Sequence, residues 1–166
     1  MEIWDAYDSD FNIIEGMTLI RGEENSIPDG VYHLVCTILV KHTDGTYLLM
    51  KRDLRKPYPG MWEATAGGSA LKGEDTLSCA FRELREETGI TASKMDELNR
   101  FVWNKTRSCY VEYLCVTDCD KDSIILQEGE TIAYKWATAD EIRNMSSEEL
   151  LTETMRQFIL NGEKHS

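Results

Sequence analysis

One segment, residues 75–88, constrains this chain more than any other, because it carries two helical patterns at once. Leu77, Ala80, Phe81 and Leu84 recur at helical spacing and form an apolar stripe. Asp75 stands where an N-cap belongs, and Gly89 stands where a C′ glycine ends a helix. Glu83, Glu86 and Glu87 lie at i, i+3 and i+4. That spacing puts three carboxylates on one face, with Cβ atoms ~5–6 Å apart. The face is offset from the stripe, so the stripe would anchor the helix while the glutamates converge on solvent. Like charges so placed cost helix stability, and a divalent cation would relieve the cost. Hard oxygen donors suit magnesium or manganese. Taken alone, three such glutamates more often mean a solvated acidic face.

The rest of the chain supplies strands for this helix to pack on. Residues 2–21 alternate around Asp8-Ser9-Asp10-Phe11-Asn12 and predict a hairpin, followed by a polar connection over 22–30. Val31 to Val40 is dense in β-branched and apolar residues, and Asp44-Gly45 turns it into Tyr47-Leu48-Leu49-Met50. Lys51 to Met61 contains Pro57 and Pro59 and reads as a loop, and Trp62–Ala66 as a short strand. Strands are expected over Leu98–Trp103, Tyr110–Val116 and Ala133–Ala137. From Thr138 the tail reads as helical, with Leu150, Leu151, Met155, Phe158 and Ile159 as its buried face. The expected fold class is α/β, layered, in one domain covering all 166 residues, with 1–30 as an N-terminal hairpin extension.

Charge narrows the partners. The net charge is −12, but residues 1–30 carry −7, residues 118–166 carry −6, and residues 31–117 carry +1. The acidic ends argue against a nucleic acid polymer or an anionic membrane. The near-neutral middle leaves room for a small anion. No apolar run approaches the ~20 residues of a membrane span, and the acidic N-terminus lacks the basic region of a secretory signal. Five cysteines without repeated spacing read as reduced thiols in a cytoplasmic protein.

The wider pattern around the helix is Gly68-x5-Glu74-x7-Arg82-Glu83-Leu84-x-Glu86-Glu87-x-Gly89-Ile90. Here the sequence resembles the Nudix hydrolase family, whose signature box would span 68–90 with every specified position filled. A chance match is on the order of 10⁻⁷ at ordinary residue frequencies. The resemblance implies a Nudix-type α/β/α sandwich with a mixed β-sheet. It implies that Glu83, Glu86 and Glu87 ligate Mg2+ (or Mn2+), with the carbonyl of Gly67 as a further ligand. Glu74 would shape the loop, Arg82 would hold the glutamates by ion pairing, and Gly68 and Gly89 would permit the bracketing turns. The implied reaction is attack by water on the diphosphate linkage of a nucleoside-diphosphate-type or other small diphosphate metabolite. The general base would lie in the box or on a later loop, where Glu128 and Glu130 are the candidates.

Lys51, Arg52, Arg55 and Lys56 form a basic cluster before the box, equally readable as a phosphate-receiving loop or a solvated one. Trp62 and Tyr58 could stack on a base, although aromatic residues there more often pack. His33, His42 and His165 have no metal-like spacing. The N-terminal hairpin, the His33 strand and Pro59-Gly60-Met61-Trp62 resemble the isopentenyl-diphosphate isomerase branch of the family. That branch uses a cysteine and a histidine where this chain has Gly67 and Ser69, which favours hydrolase chemistry over isomerisation. His33 matches a metal position of that branch. A nucleotide-sensing domain without turnover is a further alternative, disfavoured by the intact glutamates. No proline follows the box, and Thr106 and Arg107 stand where dinucleoside polyphosphate hydrolases would carry a tyrosine. The expected partner is a small phosphorylated substrate; a homodimer is left open.

Overall fold

The computed structural model describes residues 1–164, and the side chains of residues 1–162; His165 therefore lies outside the described residues. The chain begins with an antiparallel hairpin, β1 (Ile3–Tyr7) and β2 (Ile13–Ile20). Seven strands then form one mixed sheet: β3 (His33–His42), β4 (Tyr47–Arg52), β5 (Trp62–Glu63), β6 (Ala66–Ser69), β7 (Asp96–Trp103), β8 (Ser108–Thr117) and β9 (Thr131–Ala137). Three helices complete it: α1 (Thr76–Thr88), α2 (Ala139–Arg143) and α3 (Glu153–Lys164).

The centre of the sheet is β3. It runs parallel to β8 along ten rungs and antiparallel to β6 on its other side. Its alternation divides the molecule, as the two-residue period of a strand requires. Leu34, Cys36, Ile38 and Val40 pack with Ala80 and Leu84 of α1. Leu39 faces the opposite way and packs with Ile142 of α2 and Met155 and Ile159 of α3. Helices thus cover both faces, giving the α/β/α sandwich. Each fully buried aliphatic side chain in these layers contributes ~1.5–3 kcal/mol of transfer free energy.

The N-terminal hairpin keeps a small core of its own from Trp4, Ala6, Leu19, Ile27 and Val31. Tyr7 bridges to Tyr32, and the Trp4 ring stacks on His33 with centroids 4.2 Å apart. Asp5 accepts a 2.8 Å hydrogen bond from the Gly73 backbone, so the hairpin also braces the loop that leads into α1.

Four local expectations are corrected. Lys51 and Arg52 end strand β4 instead of opening the loop, because both pair with β9 and Lys51 also pairs with β5. Trp62–Ala66 is not one strand. Its first two residues pair with β4, and Ala66 onward pairs with β3. Leu77 is 40% exposed, and the buried face of α1 comprises Cys79, Ala80, Leu84, Glu87 and Thr88. The tail is two helices separated by a turn, because Leu150 enters the core beside a bridge to Trp62 that breaks the helical path. Phe158 accordingly points outward while Met155 and Ile159 are buried.

Candidate active site

The loop from β6 into α1 is set by local chemistry. The Asp75 carboxylate caps α1 by accepting from the Ser78 backbone at 2.7 Å, an interaction worth ~1 kcal/mol. Glu74 accepts from the Leu71 backbone at 2.8 Å. At the far end Gly89 adopts the left-handed conformation and closes the helix on the Arg85 carbonyl.

Arg82 organises the acids. Its guanidinium donates to both carboxylate oxygens of Glu74 (2.7 and 2.9 Å), to Glu83 at 2.9 Å, to Glu86 at 3.1 Å and to the Ser69 carbonyl at 3.2 Å. These bonds stabilise its charged form and raise its pKa. Burial opposes ionisation of Glu74, but the paired guanidinium outweighs it and the net shift is downward.

The three box glutamates do not share one environment. Glu86 is exposed, Glu83 is largely covered, and Glu87 is only 5% exposed. The expectation that all three converge on solvent is therefore corrected: α1 is rotated so that Glu87 faces the protein interior. Burial raises the Glu87 pKa well above the usual carboxylate value, and the neighbouring charges of Glu63, Glu83 and Glu130 push the same way. Burial also raises Glu83 and Glu63. Glu63, on β5, was not singled out by sequence reading. Its partner is Arg52, whose Nη1 lies 3.2 Å from Oε2.

Gly67 and Gly68 meet this cluster from β6. A Cβ on Gly68 would stand 2.4 Å from Glu83 Oε1, and one on Gly67 would stand 2.8 Å from the Cys36 carbonyl. At Gly67 the obstacle is backbone, and at Gly68 it is the end of the Glu83 side chain. Among the described residues, no three acidic, imidazole or thiol side chains close around a point as a finished ion cage, since Glu83 and Glu86 are turned toward Arg82. The donor chemistry nevertheless fits a divalent cation. Buried carboxylates with raised pKa values crowd one cradle, and oxygen is the donor magnesium and manganese prefer.

The later loop reaches the same place. Lys56 pairs with Glu130, and the Asp53 backbone donates to the Glu130 carbonyl at 3.0 Å. Glu128 is exposed and its charge is felt by Arg55. The basic cluster is dispersed by these pairings. Arg55 is bound to Asp53 at 2.9 Å, and Lys51 lies over the Trp62 ring, which Lys135 approaches more closely at 4.4 Å. A cavity of about 640 Å³ opens beside Gly67 and Gly68, and of Lys51, Arg52, Arg55, Lys56 and Trp62 only Arg52 lines it. Tyr58, Phe101, Trp103 and Tyr110 supply an aromatic wall. His33 sits elsewhere, buried between Trp4 and a 2.9 Å contact with Ser108 Oγ. All five cysteines are free.

The NUDIX domain model matches residues 31–161. The chain belongs to the Nudix domain family. An uncharacterized Nudix hydrolase of Listeria monocytogenes is 30% identical over 89% of this chain and 86% of its own length. By family and by the names of such relatives, this chain is a Nudix hydrolase. A Deinococcus radiodurans crystal structure shares the fold, with TM-score 0.73 at 17% identity over 96% of this chain and 98% of that one. The NUDIX domain of Shewanella oneidensis NrtR, solved in complex with ADP ribose, aligns with TM-score 0.64 at 17% identity, covering 89% of this chain and 99% of that one. Among the described residues no helix is long and apolar enough to cross a membrane.

Proposed function

We propose that this Nudix hydrolase is a divalent-metal-dependent enzyme that cleaves the diphosphate linkage of a small nucleoside-diphosphate-type metabolite by water attack on phosphorus. The observation that carries the reading is the cluster of the covered carboxylates Glu63, Glu83 and Glu87 with half-buried Glu130, beside a cavity lined by the bare backbone of Gly67 and Gly68. Glu83, Glu86, Glu87 and the Gly67 carbonyl would hold Mg2+ (or Mn2+). When bound, such an ion neutralises developing phosphate charge and acidifies water. Arg82 positions Glu83 and Glu86 through its fork of hydrogen bonds. Glu74 anchors Arg82 and the loop. Arg52 reaches the cavity wall and is the basic residue placed to meet a phosphate. Glu130, paired with Lys56, is the loop carboxylate close enough in charge to Glu87 to accept a proton from the attacking water.

The whole chain, residues 1–166, is read as one such domain carrying the hairpin 1–30 as an extension and the box over 68–90. The experiment is turnover of a panel of diphosphate compounds in magnesium and in manganese. Glu87→Gln should lower turnover at least a hundredfold with the fold intact. Unchanged turnover in that variant would overturn the assignment.

A further inference from the structure

The part of the cavity away from the glutamates holds a carboxylate that the hydrolytic reading does not use. Glu112, in the middle of β8, lines the cavity and is only 5% exposed. Among the described residues it has no salt-bridge partner within 4.0 Å. The Thr154 hydroxyl donates to its Oε2 at 2.7 Å, and Asn99 approaches Oε1 only at 3.5 Å. A covered carboxylate without a cation is costly, and a purely structural tie to α3 needs only an acceptor, which an uncharged amide would supply. A carboxylate has about four lone-pair sites and no donor. Glu112 therefore has acceptor capacity to spare and can satisfy only donors.

The ladder sets its distance from the phosphate end. Gly67 pairs with Thr37, and Thr37 pairs with Glu112, so the three residues lie side by side on adjacent strands. Two strand spacings put Glu112 roughly 10 Å from Gly67. That is the reach from the phosphorus nearest a ribose to the far edge of its base. An ammonium two carbons from a phosphate oxygen falls well short of it. The same cavity is lined by Tyr110, two residues before Glu112 on β8, and by Trp103 of the adjacent β7, 48% exposed, their rings 6.1 Å apart. Aromatic faces of this kind stack on any base and leave identity to be read at its edge.

We propose that Glu112 is the specificity-determining residue for the substrate's base, and that it selects a ring presenting two adjacent N–H donors, as the guanine edge does. The proposal rests on the nucleoside-diphosphate reading above and names the base class for that same site. Adenine offers an acceptor beside its amino group, and that acceptor would face the carboxylate unpaired.

The test is calorimetric titration of the full chain with GMP, AMP and phosphoethanolamine, which needs no turnover. GMP is expected to bind at least tenfold more tightly than AMP. Glu112→Gln keeps an acceptor for Thr154 and introduces a donor, and it should abolish that preference by weakening GMP at least tenfold while leaving AMP unchanged or tighter. Trp103→Ala, at an exposed position, should weaken both nucleotides alike. Equal affinity of the unaltered chain for GMP and AMP overturns the proposal whether or not the variants fold. Survival of the preference in Glu112→Gln overturns it, and so does tight phosphoethanolamine binding that only Glu112→Gln removes. If Glu87→Gln leaves turnover unchanged while the GMP preference stands, the hydrolytic reading fails and the base assignment survives.

Discussion

The Glu83 carboxylate lies where a side chain on Gly68 would begin, with Oε1 2.4 Å from the ideal Cβ position. Gly68 has no positive φ, so alanine is compatible with its backbone. The conflict is with the end of a flexible side chain. Gly68→Ala should therefore fold nearly as well as the unaltered chain but push the carboxylate aside. A displacement near 1 Å at a reacting centre costs roughly a hundredfold in rate. We expect a tenfold to hundredfold fall in kcat and weaker Mn2+ binding by electron paramagnetic resonance, with little change in Tm. A variant with full activity would show that Glu83 is not needed in its place.

Arg82 should matter more to stability than its partners do. Its side chain is 18% exposed and its five donor contacts reach Glu74, Glu83, Glu86 and the Ser69 carbonyl. Removing it strands the two covered carboxylates, Glu74 and Glu83, and frees exposed Glu86. Arg82→Ala is expected to lose about 2–4 kcal/mol in urea unfolding. Arg82→Lys keeps the charge without the planar fork and should recover less than half of that loss. Equal stability of all three proteins would contradict the role.

His33 gives the fold a pH dependence of known sign. Burial disfavours the imidazolium and lowers its pKa below the ordinary value of 6.5. The unfolded chain therefore takes up the proton first, and the stability contributed by neutral His33 is present above about 6.5 and is lost as pH falls through the folded value. His33→Gln should remove this term. The stability difference between the two proteins should shrink between pH 7.5 and pH 5, measured by denaturant unfolding. A constant difference would mean His33 does not titrate differently in the fold.

How far the site was legible depended on how local its determinants are. The limits of α1 follow from Asp75 and Gly89, which act within one turn, and the box residues share that helix. The direction in which α1 presents them does not. Leu77 looks like core in sequence and is exposed, while Glu87 looks exposed and is buried, because packing against β3 and β6 rotates the helix. Glu63 and Glu112 carry no sequence signal of their own. Each is an acid in a strand, and its burial is decided by which distant strands and helices cover it: β4 for Glu63, and α3 through Thr154 for Glu112. The basic cluster failed in the opposite way. Its charges are adjacent in sequence, but pairings with Asp53, Glu63 and Glu130 spread them over separate elements.

The two loop glutamates can be separated by experiment. Glu128 and Glu130 are two residues apart around Gly129, which has φ +84° and turns the chain so that they face different surroundings. Glu130 is half-buried, paired with Lys56, and its charge raises the pKa of Glu87. Glu128 is exposed beside Arg55. If Glu130 takes the proton from the attacking water, Glu130→Gln keeps a hydrogen-bond partner for Lys56 but removes the base. Its kcat should fall on the order of a hundredfold, with KM within about threefold. Glu128→Gln should keep kcat within about twofold. Equal losses in both variants would point to loop charge rather than proton transfer. Full activity in Glu130→Gln would place the base among the glutamates of α1.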